Sequence, residues 1–553
     1  MRGDRAPSEP VDVCVVGTGP AGAIPAAKLA ERGHDVVVLE AGPRFDLAQR
    51  GRQLERALRP EFTTEAVWDM GGPRDRFTSS GSKSYALNAS RVKAVGGTTL
   101  HWGGLTPRLH PEDFEKRTRQ GVGVDWPIDY ADLEPYYLAA EREMGVAGTP
   151  SQFGGSRSGP YPLPAFPPSY SDSLFAPACA ELGIELHPAP RATNSEPYDG
   201  RSECLGYGTC EPVCPSGAKY DASVHVRAAE AAGARVLDRC PVRRLEHDES
   251  GERVLAARYT APDGRTHRQR ADQFVLAAGA VESIRLLLLS ASDAHPDGLA
   301  NSSGLVGEGF MEHFGITLTG RLDQPTRQHR IGFNTSYSLQ YYPYDRGPEG
   351  TIILQPINNA GPTPAELAMR EEPTTPAALD GDLDAPFDGD EWGDVLFERA
   401  SEEWTNRRVG FNAWVEQFPL ATNRVTLDRS KRDDHGDPVP DVSLAVDDRT
   451  ERALERAEAV IRDVFAELGA SDVRANSSPD DPWTANHHLG GLRMGRSPGE
   501  SVVDPDLRAH DLSNLYANSG AVFPTGGGAN PTLTIAALSL RLADHLDERL
   551  TSE

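Results

Sequence analysis

The chain begins with two apolar runs that are separated by a glycine-rich turn and a helical stretch. The run VDVCVV (11–16) is nearly continuous in apolar residues, which is typical of a strand buried in a parallel sheet. The second run, HDVVVLE (34–40), predicts another strand. The pattern therefore predicts the order strand, turn, helix, strand.

The turn after the first strand carries the pattern G-x-G-x-x-G on Gly17, Gly19 and Gly22, and the second strand ends in Glu40. Such glycines let the backbone turn tightly and approach a pyrophosphate. The helix N-terminus offers free N–H groups, and the acidic residue accepts hydrogen bonds from ribose hydroxyls. We therefore predict a dinucleotide site. Pro25 departs from the pattern, and we expect it to shift or kink the first helical turn.

Two later segments repeat the order of a strand followed by an apolar helix. They are DQFVLAAGAVESIRLLLLS (272–290) and NLYANSGAVFPTGGGANPTLTIAALSLRLADHL (514–546), and the second has a glycine-rich loop before its helix. We therefore expect the dinucleotide domain to be discontinuous, built from the head, middle and tail of the chain. We assign to it residues 10–110, 201–320 and 484–549.

The remaining part of the chain has a different pattern. TNRRVGFNAWVEQFPLATNRVTLD (405–428) alternates apolar and polar residues, as antiparallel strands do. We assign residues 111–200 and 321–483 to a substrate-binding domain with an antiparallel sheet. Within it, the acidic segment 371–394 is rich in proline and glycine, and we predict a surface loop or lid there.

The charge balance narrows the class of partner. The chain has 82 acidic and 56 basic side chains, a formal net charge of −26, and only six of the basic residues are lysine. We interpret this as adaptation to high salt, where mobile ions screen self-repulsion; the alternative is an acidic protein from a GC-rich genome. No basic face is apparent, so nucleic acid is not expected as a partner.

The apolar runs are too short for a membrane span. IRLLLLSA (284–291) comes nearest to the roughly 20 residues that crossing a bilayer requires. The first residues, MRGDRAPSEP, lack the apolar segment of a secretory signal. We therefore expect a soluble, cytoplasmic protein, unless a partner subunit carries it to the membrane or out of the cell.

Half of the six cysteines lie in one loop, CLGYGTCEPVCP (204–215), with the spacing C-x5-C-x3-C-P. Its glycines and prolines predict irregular backbone, where cysteine has little packing reason to cluster. Three thiolates on Cys204, Cys210 and Cys214 suit an iron–sulfur cluster with one corner missing. A zinc site would need a fourth ligand, for which His225 is the nearest candidate. Inert thiols packed as small hydrophobic groups are the other alternative.

Several motifs resemble the glucose–methanol–choline (GMC) family of FAD-dependent oxidoreductases and occur in the family's order. They are GTGPAGAIPAAKLAERGHDVVVLEAG (17–42), VKAVGGTTLHWGG (92–104), VLAAGAVES (275–283), VGEGFMEH (306–313) and the tail from Asn486 to Leu546. The resemblance implies that the dinucleotide is FAD. The predicted fold class is therefore α/β, with a discontinuous FAD-binding Rossmann-like domain, a parallel sheet with helices, and an α+β substrate domain.

Within the family, the segment 197–226 resembles the catalytic subunits of membrane-linked sugar dehydrogenases, which include bacterial gluconate, fructose and glucose dehydrogenases. That resemblance implies a 3Fe-4S (three-iron, four-sulfur) cluster on the cysteine loop. Those relatives often have a second cysteine where Leu205 stands, so no spare ligand for a fourth iron is present here. The relatives also imply a small accessory subunit and a cytochrome or quinone as electron acceptor.

The resemblance also implies residues that contact the flavin. Gly96 and Gly97 belong to a segment that lies along the flavin in the family, and Gly520 belongs to the matching tail. His101 falls where some members attach FAD covalently through histidine. A histidine packed beside the flavin without a bond is the alternative.

Oxidation of an alcohol by hydride transfer requires a base for the hydroxyl proton, and histidine suits this role because its pKa is about 6.5. The segment NHHLGGLRMG (486–495) matches the family pattern H-x-x-G-x-x-x-M-G with His487 as the base. His488 is the alternative, since neighbouring side chains in an extended segment point opposite ways. Gly491 replaces the family's usual Thr or Ser, so we expect one flavin contact to be lost.

The family places a histidine or asparagine in the C-terminal glycine loop as the partner of the base. In GGGANPTLT that residue is Asn530, whose amide would donate to the substrate oxygen. The alternative is that Asn530 caps the helix that begins near Pro531.

These observations predict an FAD-dependent dehydrogenase that oxidises a hydroxyl of a sugar, an aldonate or a polyol. Electrons are expected to pass through the iron–sulfur cluster to another protein. An oxidase that uses O2 is one alternative, although it would have no use for a cluster. A lyase that keeps FAD only as a relic is another. A non-enzymatic electron carrier would leave His487 and Asn530 unexplained.

Overall fold

The computed structural model describes residues 5–59, 63–326, 334–346, 349–358, 393–394 and 407–552. Except for residues 393–394, the acidic segment predicted to be a surface loop or lid lies outside the described residues. The strands, in chain order, are β1 (Val11–Val16), β2 (Val36–Leu39), β3 (Thr78–Ser79), β4 (Ala147–Gly148), β5 (Leu163–Pro164), β6 (His187–Pro188), β7 (Arg235–Leu237), β8 (Val242–His247), β9 (Val254–Thr260), β10 (Thr266–Leu276), β11 (His313–Arg321), β12 (Ser336–Tyr337), β13 (Ile352–Ile357), β14 (Arg408–Glu416), β15 (Arg424–Arg432), β16 (Pro438–Ser443), β17 (Ser471–Ala475), β18 (Trp483–Thr484) and β19 (Leu515–Ala517).

Helices pack on both sheets. They are α1 (Pro20–Glu31), α2 (Arg50–Ala57), α3 (Thr64–Val67), α4 (Lys116–Gln120), α5 (Tyr130–Met144), α6 (Tyr170–Glu181), α7 (Ser223–Ala231), α8 (Ala280–Leu289), α9 (Asp448–Glu467) and α10 (Thr532–Ser552). In the described part of the chain, no helix has both the length and the apolar character needed to cross a membrane.

The larger sheet has a parallel part in the order β7-β2-β1-β10-β19. Strand β1 pairs in parallel with β2 and β10, and β19 pairs in parallel with the end of β10. These strands come from the head, middle and tail of the chain, so the prediction of a discontinuous Rossmann-like domain is confirmed. The first half of β10 instead pairs antiparallel with β9, which extends the sheet to β8.

The first helix does not break at its internal proline. α1 begins with Pro20 after Gly19 and continues through Pro25 to Glu31. Proline lacks the N–H that would bond to the carbonyl four residues earlier. That carbonyl, on Ala21, instead accepts a hydrogen bond of 2.9 Å from the Asn518 side chain. The helix therefore continues through Pro25, and the tail of the chain supplies the missing donor; the expected kink stays a prediction.

The second sheet is antiparallel in the order β13-β14-β11-β17, with β18 also pairing with β11. The predicted antiparallel strands are confirmed, but β14 is buried along nearly its whole length. Helix α9 packs against β14 and β11. The polar position Asn412 lines an internal cavity. The other polar side chains on β14, Arg408 and Glu416, form ion pairs with Asp472 and Lys116. The polar positions of β14 therefore meet the cavity or an ion-pair partner, and not bulk water.

Candidate active site

A cavity of about 1500 Å³ contains most of the residues predicted to bind cofactor or substrate. Gly22, Gly96, Cys204 and Cys214 are predicted site residues that do not line it. The predicted residues that line it are Gly17, Gly19, Glu40, Gly97, His101, Cys210, His487, Gly520 and Asn530.

The glycine turn leaves room for a ligand where the pattern predicts it. A Cβ on Gly17 would lie 2.4 Å from the carbonyl oxygen of Ala277, and one on Gly22 would lie 2.2 Å from the carbonyl oxygen of Gly17. A Cβ on Gly19 would meet nothing within 4 Å. The outer two glycines therefore permit close backbone packing, and Gly19 keeps the cavity open at the helix N-terminus. This geometry fits a dinucleotide pyrophosphate.

The Glu40 carboxylate is fixed at the edge of this cavity. Thr18 donates to its Oε2 through the hydroxyl at 2.6 Å and through the backbone N–H at 3.1 Å, and Gly42 N–H donates to Oε1 at 2.8 Å. Burial raises the pKa of Glu40. Two carboxylate oxygens offer about four acceptor sites, so capacity remains for a ribose hydroxyl.

The Gly96–Gly97 turn packs directly on the glycine turn. Gly96 N–H donates to the Thr18 hydroxyl at 3.2 Å. Gly97 has φ +58°, and a Cβ on it would lie 2.9 Å from the Cα of Gly19. Gly520 is equally confined, since its Cβ would lie 2.3 Å from the carbonyl oxygen of His488. These positions need glycine because other backbone approaches them closely.

His101 follows this turn and faces the cavity. Its Nε2 is buried and has no hydrogen-bond partner among the described residues. Burial, together with the charge of Lys219, lowers the pKa of His101 to about 3. The ring is therefore neutral, with one nitrogen unengaged. Covalent attachment of FAD at His101 stays a prediction.

His487 lies between two side chains that bind its two ring nitrogens. Its Nδ1 lies 2.8 Å from Nδ1 of His313, and its Nε2 lies 3.0 Å from Nδ2 of Asn530. His313 Nε2 in turn lies 2.7 Å from the carbonyl oxygen of Gly527. A chain of hydrogen bonds therefore begins at Gly527 in the glycine loop and passes through the two histidines. It ends at Asn530, in the same loop.

The carbonyl at the start of this chain fixes every proton along it. A carbonyl only accepts, so His313 carries its proton on Nε2 and its Nδ1 accepts. His487 must then carry its proton on Nδ1, which leaves a lone pair on Nε2 that faces the Asn530 amide. Desolvation, with smaller effects of His313 and His488, holds the pKa of His487 well below its usual range. His487 is therefore a neutral imidazole with its acceptor nitrogen in the cavity.

Asn530 does not act as a helix cap. Capping requires the side-chain oxygen to accept an N–H of the first helical turn. Asn530 Oδ1 is buried and has no hydrogen-bond partner within the described residues. The amide nitrogen faces His487 instead, so the geometry favours the predicted pairing over the capping alternative.

His488 also lines the cavity, but its Nε2 bonds to Ser90 and not to Asn530. Its Nε2 lies 2.9 Å from the Ser90 hydroxyl, which itself lies 2.8 Å from the carbonyl oxygen of Leu87. Because the Ser90 hydroxyl donates its proton to that carbonyl oxygen, it can only accept from His488. His488 Nε2 therefore carries a proton and donates a hydrogen bond to the Ser90 hydroxyl. Burial, then Arg91 and His101, lower the pKa of His488 to about 3. Its Nε2 is therefore unsuited to act as a base.

Two residues behind His487 were not predicted. Glu312 is buried and accepts from the Tyr85 hydroxyl at 2.7 Å, from His487 N–H at 2.5 Å and from His313 N–H at 2.9 Å. Burial raises the pKa of Glu312 to about 7. Glu312 and His313 end the motif VGEGFMEH, so the sequence contained a signal for them, although their role depends on contacts with residues far along the chain.

The cysteine loop lies beside the same cavity. The buried Nζ of Lys219 donates to the carbonyl oxygens of Trp102 at 2.5 Å and of Cys210 at 2.6 Å, which ties the loop to the segment that contains His101. Burial raises the pKa of the Cys210 thiol to about 11, and Arg191 and Lys219 oppose this rise. The loop is therefore fixed next to the cavity by a buried cation.

The three thiols do not form a site for a single metal ion. Among the described residues, no three His, Cys, Asp or Glu side chains are arranged to hold one. His225, the proposed fourth zinc ligand, instead binds the Tyr220 hydroxyl at 2.9 Å and lies 3.1 Å from the Glu143 carboxylate. The zinc alternative is therefore disfavoured.

Comparison with known proteins agrees with this geometry. Models of the GMC oxidoreductase family match residues 78–315 and 419–539, and a model of the NAD(P)-binding Rossmann-like domain matches residues 15–52. These matches cover the glycine turn, the cysteine loop and both predicted catalytic residues. They confirm the family that the motifs indicated.

Relatives that match nearly the whole of this chain support the same family. The fructose dehydrogenase large subunit of Gluconobacter japonicus is 33% identical, over 96% of this chain and 97% of that protein. The 6'''-hydroxyparomomycin C oxidase of Streptomyces lividus is 31% identical, over 97% and 92%. The structure of pyridoxine 4-oxidase from Mesorbium loti has a TM-score of 0.66 at 19% identity, over 97% and 99%, and shares the fold. The chain therefore belongs to the GMC oxidoreductase family and is an FAD-dependent oxidoreductase that acts on CH–OH groups.

Proposed function

We propose that this oxidoreductase is a dehydrogenase that oxidises a hydroxyl of a sugar, an aldonate or a polyol. The observation that carries the proposal is the hydrogen-bond chain that ends at the unprotonated Nε2 of His487, in the cavity that also contains the glycine turn. The similarity to a fructose dehydrogenase large subunit supports a sugar-like substrate.

The two predicted catalytic residues have complementary roles. His487 takes the hydroxyl proton at Nε2, because its Nδ1 is already protonated and bonded to His313. Asn530 Nδ2, 3.0 Å from that nitrogen, donates to the substrate oxygen and holds it beside the base. When bound, FAD supplies the hydride acceptor. Gly17, Gly19, Glu40, Gly97 and Gly520 would hold it in the cavity, and His101 lines the same cavity.

The cysteine loop is proposed to hold a 3Fe-4S cluster. Thiolates of a polynuclear cluster bind different iron atoms, so they need not converge on one point as the ligands of a single ion do. Cys214 Sγ lies 3.5 Å from the Lys219 N–H, and Arg191 and Lys219 interact with the Cys210 thiol as cations that offset thiolate charge. A bound cluster would supply one-electron transfer between the flavin site and a partner.

A protein partner is proposed to accept these electrons. Leu205 and Tyr207, on the cysteine loop, are 59% and 55% exposed, which is high for large apolar side chains. Cys210 on the same loop borders the cavity. The loop therefore connects the cavity with a surface suited to a small accessory subunit, which would pass electrons to a cytochrome or quinone and carry the chain to a membrane.

The test of the main proposal is anaerobic reduction of the flavin by a panel of sugars, aldonates and polyols, followed by turnover with an artificial acceptor. We expect at least one polyhydroxylated alcohol to bleach the flavin absorbance. Bleaching by none of them would contradict the proposal and favour the lyase. An oxidase, which the Streptomyces lividus relative makes a specific second candidate, would consume O2 as fast as it turns over with the artificial acceptor.

The test of the cluster is iron and sulfide content together with electron paramagnetic resonance of anaerobically purified protein. Cys210→Ser should lose the signal, whereas Cys179→Ser, at a buried thiol outside the loop, should keep it. Iron-free wild-type protein that reduces its native acceptor at the normal rate would refute both the cluster and its role.

A further inference from the structure

The antiparallel sheet contributes a pair of amide side chains to the cavity. Gln355 on β13 and Asn412 on β14 lie directly opposite each other in the antiparallel register. Both line the cavity that contains His487 and Asn530. Directly opposed residues have Cβ atoms about 4.5–5.5 Å apart, so the two amides form one polar patch.

The orientation of the Gln355 amide is fixed by the backbone. Asn358 N–H donates to Asn334 Oδ1 at 2.9 Å, so Asn334 must present its NH2 group on the other side. That group donates to Gln355 Oε1 at 2.6 Å. Gln355 therefore turns its own NH2 group away from Asn334, and a flip of either amide would break one of these contacts.

Two polar atoms of the pair are left without partners. Gln355 Nε2, a donor, and Asn412 Oδ1, an acceptor, are buried and form no hydrogen bond within the described part of the chain. Gln355 is only 2% exposed. Buried polar groups are normally paired, so a donor and an acceptor left unpaired beside a cavity indicate a ligand group that can serve both. A hydroxyl both donates and accepts, whereas a carboxylate only accepts.

The pair is also attached to the loop that carries the predicted catalytic amide. Trp414 lies two residues after Asn412 and so shares its face of β14. Its Nε1 donates to the carbonyl oxygen of Gly528 at 3.0 Å, two residues before Asn530. Trp414 and Trp483 line the same cavity and add apolar surface that suits the C–H groups of a sugar. The amide pair and the base thus belong to one substrate pocket.

We propose that Gln355 and Asn412 form a subsite that binds a second hydroxyl of the substrate, remote from the hydroxyl that is oxidised. This rests on the proposed function and narrows it to polyhydroxylated substrates that place a neutral hydroxyl, and not a carboxylate, at the sheet. A hydroxyl there donates to Asn412 Oδ1 and accepts from Gln355 Nε2. Both residues act on specificity, and His487 remains the base.

The experiment combines variants with deoxygenated substrates, using the full FAD-loaded chain. The best sugar from the panel and its singly deoxygenated analogues are compared on wild type, Gln355→Leu and Gln355→Glu. With wild type, we expect one analogue to have a kcat/KM at least 10-fold below that of the parent sugar. With Gln355→Leu, the kcat/KM of that analogue should be no lower than it is with wild type. Gln355→Glu keeps the acceptor for Asn334 but removes the donor, so it should behave like Gln355→Leu without creating a cavity.

The controls separate the subsite from folding and from the proposed function. Gln152→Leu, at an exposed glutamine outside the cavity, should keep the wild-type response to every analogue. Flavin content and melting temperature report the folding of each variant. The subsite would be overturned if the active enzyme had the same kcat/KM with every analogue. It would also be overturned if the loss caused by the variant and the loss caused by the analogue were additive. Either result would leave the proposed function standing.

Binding gives an answer even without turnover. If no alcohol reduces the flavin, the proposed function fails, and calorimetric binding of the same sugars still tests the amide pair. Weaker binding of the parent sugar to Gln355→Leu, with equal binding of one deoxygenated analogue to both proteins, would support the subsite. No binding of any sugar would reject it.

Discussion

His313 Nδ1 lies 2.8 Å from His487 Nδ1 and accepts the hydrogen bond that the protonated His487 Nδ1 donates. The proton belongs to His487 because His313 uses its other nitrogen, at 2.7 Å, to donate to the carbonyl oxygen of Gly527. His313 thereby selects the tautomer in which His487 Nε2 is free to accept a proton. It acts as a positioning residue, because it acts on the substrate only through His487.

The first prediction concerns this tautomer. His313→Leu should lower kcat/KM by about 10²-fold with FAD retained, because His487 is then free to adopt the tautomer with a protonated Nε2. His313→Gln should recover much of the loss, since its amide can accept from His487 and donate to Gly527. Nitrogen-15 NMR of the histidine rings should show mixed tautomers in the Leu variant alone. Equal loss in both variants, with an unchanged His487 tautomer, would mean that His313 only fills space.

The second prediction distinguishes the two adjacent histidines. His487→Ala should lose about 10²–10⁴-fold in turnover while the flavin stays bound, because it removes the base. His488→Ala should lose much less, because its Nε2 donates to Ser90. Stopped-flow flavin reduction measures the step directly. A larger loss in the His488 variant would show that the base is assigned wrongly.

The third prediction concerns stability and pH. Burial raises the pKa of Glu312 from 4.5 to about 7, so the folded state binds this proton more tightly than the unfolded state does. The contribution of Glu312 to the free energy of unfolding is therefore full below pH 4.5 and is lost as the pH rises through about 7. Urea unfolding across this range should show a shallower pH dependence in Glu312→Gln. Glu308→Gln, a partly exposed neighbour, should keep the wild-type slope.

The fourth prediction concerns the attachment of FAD. If His101 forms a covalent bond, acid precipitation leaves the yellow colour with the protein, and intact mass spectrometry shows the mass of the chain plus FAD. His101→Ala should release all of the colour to the supernatant. Colour released completely by wild type would show that FAD is not attached covalently and would contradict the prediction.

The fifth prediction concerns salt. The net charge of −26 should destabilise the fold in dilute buffer through self-repulsion, and molar KCl should raise the melting temperature by screening it. An equal osmolality of a neutral solute serves as the control, since it does not screen charge. A melting temperature that responds to both alike, or to neither, would contradict adaptation to high salt.

The sequence by itself determined the nucleotide turn and the family. It also predicted the two residues whose side chains lie 3.0 Å apart in the pocket. The roles of Gly17, Gly19 and Glu40 can be predicted from the sequence, because they are set by local backbone geometry and by the strand and helix beside them. His487 and Asn530 could be predicted as site residues, because each lies in a short motif with fixed spacing. The alternating pattern of β14 likewise predicted the type of strand.

Only the tertiary structure decided what surrounds these residues. The pattern could not show that His313 binds His487, 174 residues away, because the contact depends on the pairing of β11 with β18, the strand that precedes His487. It could not show that Asn518 replaces the donor missing at Pro25, or that Gln355 lies opposite Asn412 in the cavity lining. Spacing along the chain encodes local backbone geometry, whereas pairing between distant side chains depends on the packing of whole sheets and helices.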